Sequence, residues 1–289
     1  MPIRALQHVS VWLDYLSTEY GAFAQAVEWA ERLGLPLRVV MASAGLAPHT
    51  LNNISHGNIA VAAVREQAPI LEELKSWGNA CAQRGIPMEI SFWVGETDAG
   101  IDQFLRTGTL CVFEDIHSDP VRQKMLARTT RSGDVLALLT PTMPQPLSRV
   151  LILYHHQDRN AFFVETAARH CQALGIRPLI LTMAVSEPEA RLKQSFAEGV
   201  CSSMQLPADF DSVVSFDPAC AAQHVAVWRK CSHVFFERPR NILGISLWQR
   251  IRADIFAELR NVADSLSLLA FPEGLTLEVS SKMIADRLA

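Results

Sequence analysis

The sequence predicts an α/β protein made of two tandem, doubly wound parallel five-stranded sheets. Three observations predict it. Two segments 141 residues apart align without a gap. Short, nearly continuous apolar stretches alternate with amphipathic helical ones, the pattern of parallel strands covered on both faces. The first helix of each copy stops at a glycine, Gly34 or Gly175, as a left-handed C-terminal cap requires.

The elements follow in order. His8–Gly34 (HVSVWLDYLSTEYGAFAQAVEWAERLG) aligns with Arg149–Gly175 (RVLILYHHQDRNAFFVETAARHCQALG). Each opens on a strand, Val9–Leu13 or Val150–Tyr154, and passes through a polar turn into a helix. The inner stripes of those helices are Ala22, Ala26, Ala30, Leu33 and Phe163, Ala167, Cys171, Leu174, at the spacing of one helix face. Second strands are expected at Leu37–Met41 and Leu179–Met183. Third strands are expected at Ile90–Val94 and Val213–Phe216. Fourth strands, Leu110–Glu114 and His233–Glu237, both end in Phe-Glu; fifth strands are Val135–Leu139 and Leu266–Ala270. Ser118-Asp119-Pro120 reads as a helix start, a capping side chain followed by proline. That helix ends at Gly133, and its counterpart is longer, about 245–264. The linker 142–147 carries two prolines that stiffen it, so it divides the chain into units 1–143 and 144–289. The tail 275–289 lies outside the repeat and is expected to add a strand and a helical turn.

Composition narrows the function classes. Hydrophobic residues make up 49% and charged ones 19%, as in ordinary soluble globular proteins. A net charge of −4 lacks the basic footprint of a nucleic-acid binder. No apolar run reaches the length of a membrane span. The opening MPIRALQHVSVWLDYL has no signal-peptide pattern, so a cytoplasmic protein is expected. Cys81, Cys111, Cys171, Cys201, Cys220 and Cys231 form no C-x-x-C pair and read as reduced, buried thiols.

Val9-Ser-Val-Trp-Leu-Asp14, the polar turn with Ser17, and the helix end Trp29-Ala-Glu-Arg-Leu-Gly34 resemble the opening of universal stress proteins. The five-strand unit and its tandem doubling fit the same family, and the likeness covers about residues 5–274. It implies an adenine-nucleotide alpha-hydrolase-like fold with strand order 3-2-1-4-5 and a role in stress tolerance. Single-unit relatives pair through strand five, so the fifth strands here are expected side by side, joining the units as an intramolecular pseudo-dimer. Many members bind ATP, and Asp14 matches the aspartate that contacts the adenosine part; the second unit has His155 there. The family's phosphate loop, G-x2-G-x9-G-[ST] after strand four, brings backbone N–H groups close to phosphate. Here the first unit reads Glu114-Asp-Ile-His-Ser-Asp-Pro120 and the second Glu237-Arg-Pro-Arg-Asn-Ile-Leu-Gly244. Neither matches, so the chain resembles the branch that holds no ATP.

Candidate ligand residues are Asp14, His155, Arg238 and Arg240. Asp14 falls at the carboxyl end of a first strand, where open α/β sheets bind ligands; a turn-capping acid is the plainer reading. Arg238 and Arg240 stand where phosphate would lie, and arginine can clamp it through paired hydrogen bonds. His155-His156-x-Asp158 suggests metal ligation, but successive residues of a strand point to opposite faces, and no metal is expected. Glu114, Asp115, His117 and Asp119 could form a divalent cation site at the first mouth; a solvated loop before a capped helix explains them more simply. Trp228, Phe235, Phe236 and Trp248 read as core. No G-x-S-x-G, Walker loop or H-E-x-x-H is present, so no catalytic residue is expected. The reading is a non-enzymatic regulatory protein that acts on an unidentified protein partner or small ligand, without a cofactor. The alternative is an ATP binder or weak ATPase with an atypical phosphate loop.

Overall fold

The computed structural model describes residues 6–14, 20–42, 72–93, 101, 104–105, 109–114, 135–141, 143–154, 161–215, 218–238 and 266–272. The chain runs β1 (His8–Asp14), α1 (Tyr20–Leu33), β2 (Leu37–Ala42), α2 (72–83), β3 (Met88–Trp93), β4 (Thr109–Glu114) and β5 (Leu136–Thr140). It continues β6 (Val150–Tyr154), α3 (Ala161–Ala173), β7 (Leu179–Ala184), α4 (Glu187–Ser203), β8 (Asp209–Val214), α5 (Pro218–Trp228), β9 (His233–Arg238) and β10 (Ser267–Pro272). The helices expected over 118–133 and 245–264, and the tail 275–289, lie outside the described residues.

The strands form a single sheet in the order β3-β2-β1-β4-β5-β10-β9-β6-β7-β8. Each half has the order 3-2-1-4-5, all parallel. The halves meet where β5 and β10 pair antiparallel, with Leu139 opposite Leu268, Leu138 opposite Leu269 and Ala137 opposite Ala270. Both strands are buried on both faces, so neither could remain an edge without exposing apolar surface.

Two cores cover the sheet. One packs α1, α2, α3 and α4 on one face through Ala26, Trp29, Cys81, Ala167 and Ala197. The other packs Phe104 and α5 residues Ala222 and Ala226 on the opposite face. Each core runs through both halves. Because the first two helices of both halves share a face, a pseudo-two-fold axis stands perpendicular to the sheet at the β5/β10 seam. The carboxyl ends of the two sets of strands therefore open at opposite edges of the sheet.

Helices α1 to α5 end in the same way. A left-handed residue follows each helix: Gly34 (φ 63°), Gly85 (71°), Gly175 (68°), Gln205 (54°) and Lys230 (56°). Its N–H bonds to a carbonyl three residues back, as Gly34 to Glu31. The next N–H reaches five back: Leu35 to Ala30, Ile86 to Cys81, Ile176 to Cys171, Leu206 to Cys201 and Cys231 to Ala226. This is the Schellman cap, with its apolar contact across the turn. Cys81, Cys171 and Cys201 are thus small apolar residues of a repeated cap. Those three and Cys111 and Cys231 are buried; Cys220 is exposed, which corrects its assignment as a buried thiol. Position 220 lies off the inner stripe of α5, made by Ala222, Val225 and Ala226.

Two further expectations change. The third strand of the second half begins at Asp209 and ends at Val214, where Val213–Phe216 was expected. An edge strand tolerates charge, and its acids are neutralised: Asp209 by Arg149 and Arg177, both 2.6 Å away, and Asp211 by Arg229 at 2.8 Å. Trp228 is 71% exposed where core was expected. It faces away from the buried stripe of α5 and lies under the Arg229 guanidinium, 4.3 Å from its ring centroid. Phe235 and Phe236 are core as expected; Trp248 lies outside the described residues.

The caps generate a test. A side chain added at Gly34 meets nothing within 4 Å, so Gly34→Ala is penalised by the left-handed backbone alone and should lose about 1 kcal/mol. Lys230→Gly should gain roughly 0.5–1 kcal/mol, because glycine carries no left-handed penalty. Urea unfolding at neutral pH measures both, and opposite signs are expected.

Candidate functional site

Open α/β sheets bind ligands at the carboxyl ends of the strands, where the strand order reverses. In the first half that point lies between β1 and β4, which are adjacent. Asp14 ends β1 opposite Ala42 of β2, so its backbone stands at this mouth; its side chain is outside the described residues. Glu114 ends β4 opposite Thr140 of β5. Glu114 is 2% exposed, and its Oε2 is buried without a hydrogen-bond partner. Asp115, His117 and Asp119 lie outside the described residues.

The second mouth lies between β6 and β9, at the opposite edge of the sheet. Tyr154 closes β6, with Lys193 Nζ of α4 standing 4.7 Å from its ring centroid. Arg238 ends β9 opposite Pro272, with its side chain outside the described residues. His155, His156, Asp158 and Arg240 lie wholly outside them. The two candidates whose backbone is described divide between the two mouths. Asp14 belongs to one, Arg238 to the other, and no single ligand could touch both. Among the described residues, no group of three or more His, Cys, Asp or Glu side chains could hold a metal ion.

Between the mouths a buried polar network crosses the seam. The Gln25 amide of α1 donates to the Gln145 carbonyl at 3.1 Å and to Glu28 at 3.3 Å. Its Oε1 is then the acceptor for His233 Nε2, 2.9 Å away on β9. This assigns the proton of neutral His233 to Nε2 and leaves Nδ1 to accept from the Ser232 hydroxyl at 2.9 Å. Glu28 accepts from the Leu147 N–H at 2.9 and 3.1 Å, and Arg32 donates to the Leu147 carbonyl at 2.6 Å. Ser148 N–H donates to Ser232 Oγ at 3.1 Å. One helix of the first half thus holds the linker and the fourth strand of the second half. Trp29 adds aromatic contacts to His170, His233 and Phe235, with centroids 5.8 to 6.0 Å apart.

The chemistry of this network is structural. Burial, with the nearby Arg32 charge, pushes the His233 pKa down to about 3, and burial pushes His170 down to about 4. Both are therefore neutral near pH 7. Burial pushes the Cys201 and Cys231 thiols up to about 11, which keeps them from acting as nucleophiles. The sequence reading missed this network. Its one signal was Gln25, a polar residue inside the apolar stripe between Ala22 and Ala26.

The fold belongs to a recognisable class, the tandem doubly wound α/β sheet with two five-stranded halves joined at strand five. It is the fold of universal stress proteins. A universal stress protein from Archaeoglobus fulgidus DSM 4304 superposes with a TM-score of 0.65 at 13% identity, covering 92% of this chain and 98% of that one. A putative universal stress protein from Pseudomonas aeruginosa UCBPP-PA14 gives 0.55 at 10% identity over 99% of both chains. The cytoplasmic domain of a prokaryotic cation chloride cotransporter gives 0.53 at 10% identity, covering 91% and 94%. No family model and no curated protein matches the sequence. Among the described residues, no helix is long and apolar enough to cross a membrane.

The buried histidines predict a pH dependence. Unfolded histidine binds a proton near pH 6.5, while folded His233 and His170 stay neutral to about 3 and 4. Above pH 6.5 they cost nothing. As pH falls below it, the unfolded state binds more protons and stability drops, by up to about 1.4 kcal/mol per pH unit for each histidine. Urea unfolding from pH 7.5 to 5 should show a shallower slope in His233→Gln than in the parent chain. Comparing slopes cancels the carboxylate background.

Proposed function

We propose that this chain is a universal-stress-protein-like regulatory protein that performs no catalysis and acts by binding a protein partner or a small ligand. The observation that carries this reading is the antiparallel joining of β5 to β10 within a fold that matches universal stress proteins over nearly the full length of both chains. On this reading the units 1–143 and 144–289 are two copies of one domain held as an intramolecular pseudo-dimer. Its two mouths face opposite edges, so each would meet its own ligand or partner surface.

A second reading is favoured by one observation. Asp14 ends β1 beside β4, at the reversal point where nucleotides bind in such sheets. Adenine nucleotide would then lie at the first mouth with an atypical phosphate loop. Calorimetric titration of nucleotide-free protein with Mg-ATP and with AMP separates the two. The regulatory reading expects no heat and no thermal stabilisation. Micromolar binding that falls at least tenfold in Asp14→Ala would replace it with the second reading.

A further inference from the structure

We propose that a monovalent hard cation, sodium or potassium, binds at the seam between Glu114, Thr140 and Ser267. The strand register brings these residues together. Glu114 is opposite Thr140. The pairing of Leu139 with Leu268 places Thr140 opposite Ser267, and Ser267 is opposite His233. Side chains two apart on a strand share a face. Val112, Leu138, Leu269 and Phe235, each two residues from one of the four, all belong to the core beneath α1. Glu114, Thr140, Ser267 and His233 therefore form a row on that face across four adjacent strands.

His233 is satisfied by Gln25 and Ser232. Two of the other three are not. Glu114 Oε2 and Ser267 Oγ are buried without a hydrogen-bond partner, and Thr140 Oγ1 makes one long contact, 3.4 Å to the Pro141 carbonyl. Buried polar atoms are almost always partnered, and an orphaned one implies a water, an ion or a functional use. Among the described residues Glu114 has no counter-charge, and a buried carboxylate without one is strongly unfavourable.

The donor set selects the ligand. One carboxylate and two hydroxyls are hard oxygen donors, which suit alkali and alkaline-earth cations and not thiophilic or imidazole-preferring metals. A single carboxylate neutralises a single positive charge; a divalent ion would leave excess charge in a buried place. The ion would take oxygens from β4 and β5 of the first half and β10 of the second, and so tie the first mouth to the seam. This inference does not depend on the regulatory reading above.

The test is thermal unfolding of the full chain in sodium, potassium and N-methyl-D-glucammonium chlorides at one ionic strength. Sodium or potassium should raise the Tm by about 2–4 °C over the bulky cation. The rise should vanish in Glu114→Gln and shrink in Ser267→Ala. Line broadening of the sodium-23 resonance by the parent chain, absent with Glu114→Gln, reports binding directly. If Glu114→Gln fails to fold, the parent's line width and Ser267→Ala decide. An equal Tm of the parent in all three salts, an unchanged response in Glu114→Gln, or a response confined to magnesium or calcium overturns the proposal.

Discussion

The antiparallel pairing of β5 with β10 is the constraint from which the rest of the architecture follows. A parallel five-stranded unit leaves its fifth strand at an edge, and here that strand is Leu-Ala-Leu-Leu-Thr, buried throughout. Its counterpart, Ser-Leu-Leu-Ala-Phe-Pro, is just as apolar. Pairing them satisfies the exposed backbone of both and removes both edges at once. Antiparallel pairing also fixes the symmetry. It turns one half over in the plane of the sheet, puts the first two helices of both halves on one face, and sends the two mouths to opposite edges. A single ligand bridging Asp14 and Arg238 is thereby excluded by topology.

The two halves share their scaffolding and differ at their mouths. The same cap ends α1, α2, α3, α4 and α5, even where Gln205 and Lys230 must adopt a left-handed backbone without glycine. A cap that recurs at that cost is set by geometry: each helix must stop at one height above the sheet for the next strand to enter in register. The mouths carry no such uniformity. The first has Asp14 and Glu114; the second has Tyr154 with Lys193 above it and Arg238.

Much of the frame was legible in the sequence because it rests on local rules. Apolar runs of strand length gave the strands β1, β2, β4, β5, β6, β7, β9 and β10 to within two residues, and Gly34 and Gly175 marked helix ends by their left-handed conformation. The misreadings have physical causes. Strand β8 opens Asp-Phe-Asp, a polar start that hides it in the sequence, and its acids are paired with arginines contributed from 149, 177 and 229. Trp228 read as core because it is large and apolar, yet helix phase turns it outward. Glu114 was visible as an acid at a strand end. Its burial was not, because the strand beside it, with Thr140 opposite, arrives from elsewhere in the chain.

The network under α1 answers a problem that the apolar seam creates. Leucine and alanine pack almost equally well in several registers, so β5 and β10 alone specify their alignment weakly. Directional bonds do not share that tolerance. A one-residue slip of β9 and β10 would turn His233 to the opposite face and strand Gln25 in the core without its acceptor role. The cost of burying a polar group unpaired then falls only on the wrong registers. Glu28 and Arg32 do the same for the linker by gripping both backbone groups of Leu147. The burial of Gln25, His233, Ser232 and Glu114 in an otherwise apolar layer is therefore concentrated where the two halves meet. There, hydrophobic area supplies the adhesion and polar geometry supplies the alignment.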